Sequence, residues 1–87
     1  MAREKYAVLV PRRAQKQIAG IAEPARKRLV DKIASLANSP RPVGTEKLTG
    51  TDAYRIRVGD YRIVYGISDR MGTVVIACVS HRRDVYR

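Results

Sequence analysis

What this chain lacks narrows the field first. It has one cysteine and one histidine in 87 residues. A lone Cys78 makes neither an internal disulfide nor a thiolate metal site. A lone His81 supplies no histidine acid–base pair. No apolar run approaches the ~20 residues needed to span a membrane. The opening MAREKYAVLV lacks a signal-peptide layout, because its apolar run is only about five residues and no small-residue cleavage site follows. Gly-rich phosphate loops, metal-ligand clusters, repeats and low-complexity linkers are missing as well. The expectation is one reduced, cytoplasmic domain, residues 1–87, with no cofactor, no metal and no membrane contact.

Acidic residues are also scarce. Eight Asp+Glu stand against 18 Lys+Arg, for a net charge of +10. Thirteen of the 18 are arginine, whose planar fork matches phosphate. Residues 1–43 hold 10 basic and 3 acidic side chains, and residues 44–87 hold 8 and 5. A hydrophobic content of 45% argues against intrinsic disorder despite this charge. The balance points to a polyanionic partner, either nucleic acid or an acidic protein.

Periodicity divides the chain in two. Tyr6 to Val10 reads as a short buried strand ended by Pro11. Residues 11–20 read as a helix with proline in its first turn, Ala14, Ile18 and Ile21 to one side, and Gly20 as the stop. Glu23-Pro24 opens a second helix to about Asn38, with Ala25, Leu29, Ile33, Leu36 and Ala37 as its apolar stripe. Ser39-Pro40-Arg41-Pro42 breaks it. The period then changes to two. Residues 54–58 and 61–67 alternate, and Thr73 to Val79 is an unbroken apolar run expected to be a central strand covered on both faces. The fold class is α+β: an N-terminal strand and a two-helix hairpin packed on a mainly antiparallel sheet of about four strands.

The hairpin carries a sharper inference. Gly59-Asp60 suits a two-residue type II′ loop. That loop pairs Val58 with Tyr61, Arg57 with Arg62, Ile56 with Ile63 and Arg55 with Val64. Tyr54, Ile56, Val58, Tyr61, Ile63 and Tyr65 then share an apolar face. Arg55, Arg57 and Arg62 share the other. Like charges directly opposite in a sheet are destabilising. Three guanidinium groups there, without a carboxylate on the same stretch, describe an anion site that a phosphate would fill. If 61–67 pairs with 73–79, the closing SHRRDVYR puts His81, Arg82 and Tyr86 within reach of Arg62, but a one-residue change in the loop at 69–72 reverses their facing. Tyr86 suits either stacking on a base or folding back on the core.

The stretch KLTGTDAYRIRVGDYRIVYGI followed by SHRRDVYR resembles the RelE branch of the RelE/ParE toxin superfamily. The resemblance also takes in the leading strand, the helix pair and the SPRP break. It implies the toxin of a type II toxin–antitoxin pair: a ribosome-dependent endoribonuclease that cuts mRNA in the A site. The RNA 2′-hydroxyl would attack the adjacent phosphate without metal. The implied partners are a RelB-like antitoxin, the ribosome and mRNA, with operator DNA reached only through the antitoxin complex.

By position, Arg62 matches the arginine that stabilises the scissile phosphate, Arg82 the later phosphate or leaving-group arginine, and Tyr86 the tyrosine that stacks on the base. Arg55 and Arg57 fall where some relatives carry lysine, and arginine is a poor general base at neutral pH. His81, the chain's one imidazole, is the candidate for proton transfer. Arg83 and Lys47 join Arg55 and Arg57 as candidate RNA or phosphate contacts. Arg12, Arg13, Lys16, Arg26, Lys27 and Arg28 are candidate ribosomal RNA contacts. Two alternatives stand beside this reading. One is a ParE-like poison of DNA gyrase without RNase activity. The other is a non-enzymatic nucleic-acid-binding module.

Overall fold

The computed structural model describes residues 5–81. The chain runs β1 (Ala7–Leu9), α1 (Arg12–Ala19), α2 (Ala25–Ser35), β2 (Glu46–Lys47), β3 (Ala53–Val58), β4 (Tyr61–Ser68) and β5 (Thr73–His81). The strands form one sheet in the order β1-β5-β4-β3-β2. β1 lies parallel to β5, and the other neighbours are antiparallel. The expected architecture is present, with five strands instead of about four. The additional strand is β2, whose two residues are too few to show a period of two.

Both helices start and stop for local reasons. Pro11 precedes α1, and its carbonyl accepts the Gln15 amide at 3.0 Å. The Gly20 amide closes the helix on the Lys16 and Gln17 carbonyls. At the start of α2, the Glu23 carboxylate accepts the Lys27 amide at 2.9 Å, satisfying a donor that the first turn leaves unpaired. This helix ends at Ser35, earlier than the apolar stripe suggests. The amides of Leu36, Ala37 and Asn38 each bond three residues back, so the last turn tightens into 3₁₀ geometry. Leu36 and Ala37 stay buried, which is why the stripe extends past the α-helix.

The helices cover one face of the sheet. Ala14, Leu29 and Leu36 meet Ile56, Ile63, Tyr65, Val74, Ile76 and Val79 in a single core. Gln17 reaches from α1 to accept the Val79 amide at 2.7 Å, tying the helix layer to β5. Tyr54, Val58 and Tyr61 pack around this core as partly buried neighbours, so the apolar face expected from hairpin register is the helix-facing one.

β5 departs from expectation. It is central, but only one of its faces is covered. Val75 is 38% exposed, and Ala77 also lies open. The helices pack on one side of the sheet alone, so the other side of β5 stays open. A register shift then sets the facing along the strand: Val64 pairs with Cys78 while Tyr65 pairs with Ile76, leaving Ala77 as an extra residue. A bulge of this kind re-aims the side chains on either side of it. It puts Val79, Ile76 and Val74 on the core face and Ser80, Cys78 and Val75 on the open one. An unbroken apolar run carries no mark of such a shift.

Candidate functional site

The β3–β4 hairpin sets the site. Gly59 has φ 61°, and no non-glycine among the described residues has positive φ. That combination fits a type II′ loop, which needs positive φ at its first central residue only. The resulting register pairs Arg57 with Arg62 and Arg55 with Val64. β5 extends the rows by pairing Ser80 with Arg62 and Cys78 with Val64. β2 extends one row on the other side by pairing Glu46 with Arg55. Paired residues share a face. The open face therefore carries the row Glu46, Arg55, Val64, Cys78 beside the row Arg57, Arg62, Ser80. With strands about 4.8 Å apart, the longer row spans roughly 14 Å.

Glu46 changes the expected electrostatics. The arginine face is not without a carboxylate, because Glu46 Oε1 lies 2.8 Å from an Arg55 guanidinium nitrogen. β2 brings it there from 16 residues before Arg62 in the chain, beyond the reach of a hairpin argument. The Arg55 hydrogen bond and charge, followed by the charges of Arg62 and Arg57, hold the Glu46 carboxyl below the usual carboxylate range. Among the described residues, the cluster is three cations around one anion. Arg62 is half-buried. Its Nε is shut off from water and makes no hydrogen bond, although the side chain has other contacts. Arg57 is exposed. A net positive, partly dry patch with fork-shaped donors is suited to a phosphodiester.

The other candidates divide. His81 pairs with Tyr61 and meets its ring edge-on, with centroids 5.0 Å apart. It therefore sits on the helix-facing side at the end of β5, not on the face of Arg62. Lys47 pairs with Tyr54 and shares that side as well. A single step along β5 or β2 reverses the facing, and neither strand alternates strictly enough to reveal it. Arg82, Arg83 and Tyr86 lie outside the described residues. Arg12, Arg13, Lys16, Arg26, Lys27 and Arg28 belong to the helix layer, on the other side of the sheet from the arginine rows. Arg26 pairs with Glu23 at 3.2 Å and Lys27 with Asp31 at 3.4 Å, which offsets part of that surface's charge. Of all these positions, Arg55, Arg57 and Arg62 are the predicted site residues that the structure gathers. Glu46 is the member that sequence reasoning missed. Its signal was a single acid beside a basic strand, on an element two residues long.

A helix pair on one sheet face and an arginine cluster on the other define an α+β domain with a basic open face. The family model described as ParE toxin of type II toxin-antitoxin system, parDE, matches residues 8–86, and the chain belongs to this family. A curated relative, Toxin RelG of Mycobacterium tuberculosis (strain ATCC 25618 / H37Rv), is 44% identical over 55 residues. That match takes in 60% of this chain and spans 61% of the relative's length. Among solved structures, the isolated E. coli RelE toxin has 29% identity and a TM-score of 0.75, over 87% of this chain and 83% of that one. The intact E. coli RelBE toxin-antitoxin complex gives 28% identity and a TM-score of 0.75, over 87% and 95%. The chain is therefore a RelE/ParE-superfamily toxin by family and fold.

Proposed function

We propose that this chain is a RelE-like endoribonuclease of a type II toxin–antitoxin system. It cuts mRNA in the ribosomal A site, works in the cytoplasm, and is restrained by a RelB-like antitoxin. The observation that carries the reading is the grouping of Arg55, Arg57 and Arg62 on the open sheet face. In this reaction the RNA 2′-oxygen attacks the adjacent phosphorus and loses its proton. The bond to the 5′-oxygen breaks, and that oxygen gains a proton. The products are a 2′,3′-cyclic phosphate and a free 5′-hydroxyl. Arg62 and Arg57 stabilise the charge that grows on the phosphate oxygens. Arg82 and Tyr86 retain their proposed roles at the leaving group and the base. Glu46 offers the proton-accepting oxygen beside the cluster.

Glu46 is held ionised by its neighbours, so it is a weak base. A site with arginines and a weak base gains most from having its substrate aligned for in-line attack, which the ribosome can supply. The helix-layer cations lie on the opposite surface and suit contact with ribosomal RNA phosphates while the arginine face engages mRNA. The likeness to E. coli RelE, alone and in its toxin–antitoxin complex, supports both the activity and the partner. The test is a translation reaction with purified ribosomes and a defined mRNA, mapped by primer extension. Discrete A-site cuts that need both ribosome and protein are the expected outcome.

A second reading is a ParE-like poison of DNA gyrase, in keeping with a family description that names a ParE toxin. A supercoiling assay separates the two. Gyrase inhibition by a folded protein that leaves ribosome-bound mRNA intact would select the second.

A further inference from the structure

β2 is short for the position it occupies. Two residues pair with β3 at the edge of the sheet, yet one of them carries the carboxylate of the arginine cluster. The ties that hold this edge come from the opposite side of the sheet. Tyr65 lies on β4 with its ring fully buried among the core residues. Its hydroxyl donates to the Pro40 carbonyl at 2.9 Å. The single phenolic proton is thereby committed, so the Thr45 hydroxyl donates to the Tyr65 oxygen at 3.1 Å. One phenol thus bridges both ends of the loop that leads into β2, and Thr45 immediately precedes Glu46. Arg41, within the same loop, forks onto Asp69 at 3.0 and 3.3 Å and lies over the Tyr54 ring at 5.2 Å. Burial raises the Tyr65 pKa above its ordinary value, so the phenol remains protonated through neutral pH.

We propose that Tyr65 is a positioning residue: from the core side of β4 it clasps Pro40 and Thr45, and so holds the Glu46 carboxylate in the arginine cluster on the far side of the sheet. The clasp acts at the residue next to Glu46, while Val64, the neighbour of Tyr65 in β4, faces the cluster itself. The functional consequence rests on the reading of Glu46 as the acceptor in RNA cleavage. The positioning itself does not.

The test therefore reads both. The Glu46 carboxyl is titrated by carbon-detected NMR in the wild type, Tyr65→Phe, Thr45→Val and an Arg55→Ala control. The charged groups that face it are Arg55 and Arg57 from β3 and Arg62 from β4. The wild-type carboxyl should titrate below the usual range. Arg55→Ala should move it up, and Tyr65→Phe and Thr45→Val should move it in the same direction. A-site cleavage by Tyr65→Phe should fall about tenfold to a hundredfold, since a displacement near 1 Å is enough to cost that much. The acid limb of its pH–rate profile should shift to higher pH. An unchanged Glu46 titration in both variants overturns the proposal, even if cleavage falls. So does an ordinary titration in the wild type. Shifted titrations with no cleavage by any variant, wild type included, uphold the clasp and overturn the RNA-cleaving reading instead. Thr45→Val carries the same test from the loop side should Tyr65→Phe fail to fold.

Discussion

Replacing Arg62 by glutamine should leave the protein as stable as before and stop its chemistry. Glutamine keeps most of the half-buried stem and removes the charge. Arg57 lies directly across the hairpin from Arg62, and their repulsion opposes folding. Relief of a like-charge cross-strand pair is worth about 0.2–1 kcal/mol. Glu46 loses one of three attracting cations, which acts in the opposite direction at a largely exposed carboxylate. The net change in stability should stay within about 1 kcal/mol, and the midpoint of thermal unfolding within about 8 °C. Loss of a charge-stabilising donor at the reacting phosphate should lower cleavage about 10²- to 10³-fold, equivalent to roughly 2.7–4 kcal/mol. The assay pairs thermal unfolding with primer extension on ribosome-bound mRNA at equal protein concentration. Full activity in Arg62→Gln would refute the phosphate role. An activity loss matched by a large fall in unfolding temperature would make Arg62 a structural residue.

Other consequences follow from the same geometry. Gly59→Ala places a side chain at φ 61° in the hairpin loop, so it should destabilise the protein by about 1 kcal/mol or more, although open space surrounds the position. Urea unfolding that matches the wild type would contradict this. Glu46 is depressed in the folded state, so its contribution to stability is present above the ordinary carboxyl pKa near 4.3 and is lost as pH falls through the folded value. The wild type should accordingly lose more stability than Glu46→Gln below about pH 4.5, and identical acid dependence in denaturant melts would deny the arginine contact. His81→Gln should leave the pH profile of cleavage unchanged, because the ring meets Tyr61 on the helix-facing side. A changed profile would restore His81 to the mechanism.

The hairpin was legible because a two-residue loop determines every pairing beyond it. Gly59 and Asp60 together give Arg57 opposite Arg62, and the alternation of Ile56, Ile63 and Tyr65 says which face is buried. The helices were legible from their stripe, up to the point where Leu36 and Ala37 pack through a 3₁₀ turn. What escaped depends on contacts between distant segments. Glu46 reaches the cluster because a loop pinned by Tyr65 and Thr45 lays a two-residue strand beside β3. No local period marks such a strand. The facing of His81 depends on one extra residue at Ala77, and an apolar run that fits either face does not announce a bulge. Val75 stands open because both helices pack on the other face of the sheet, a layering that the composition of one strand does not reveal.

Cleavage of ribosome-bound mRNA by the arginine face is read out by primer extension. Purified ribosomes, a defined mRNA and the wild-type protein should yield discrete cuts within A-site codons. Those cuts should vanish without ribosomes and with Arg62→Gln. Intact mRNA in the presence of a folded, growth-inhibitory protein would rule out RNA cleavage by this face and direct attention to gyrase.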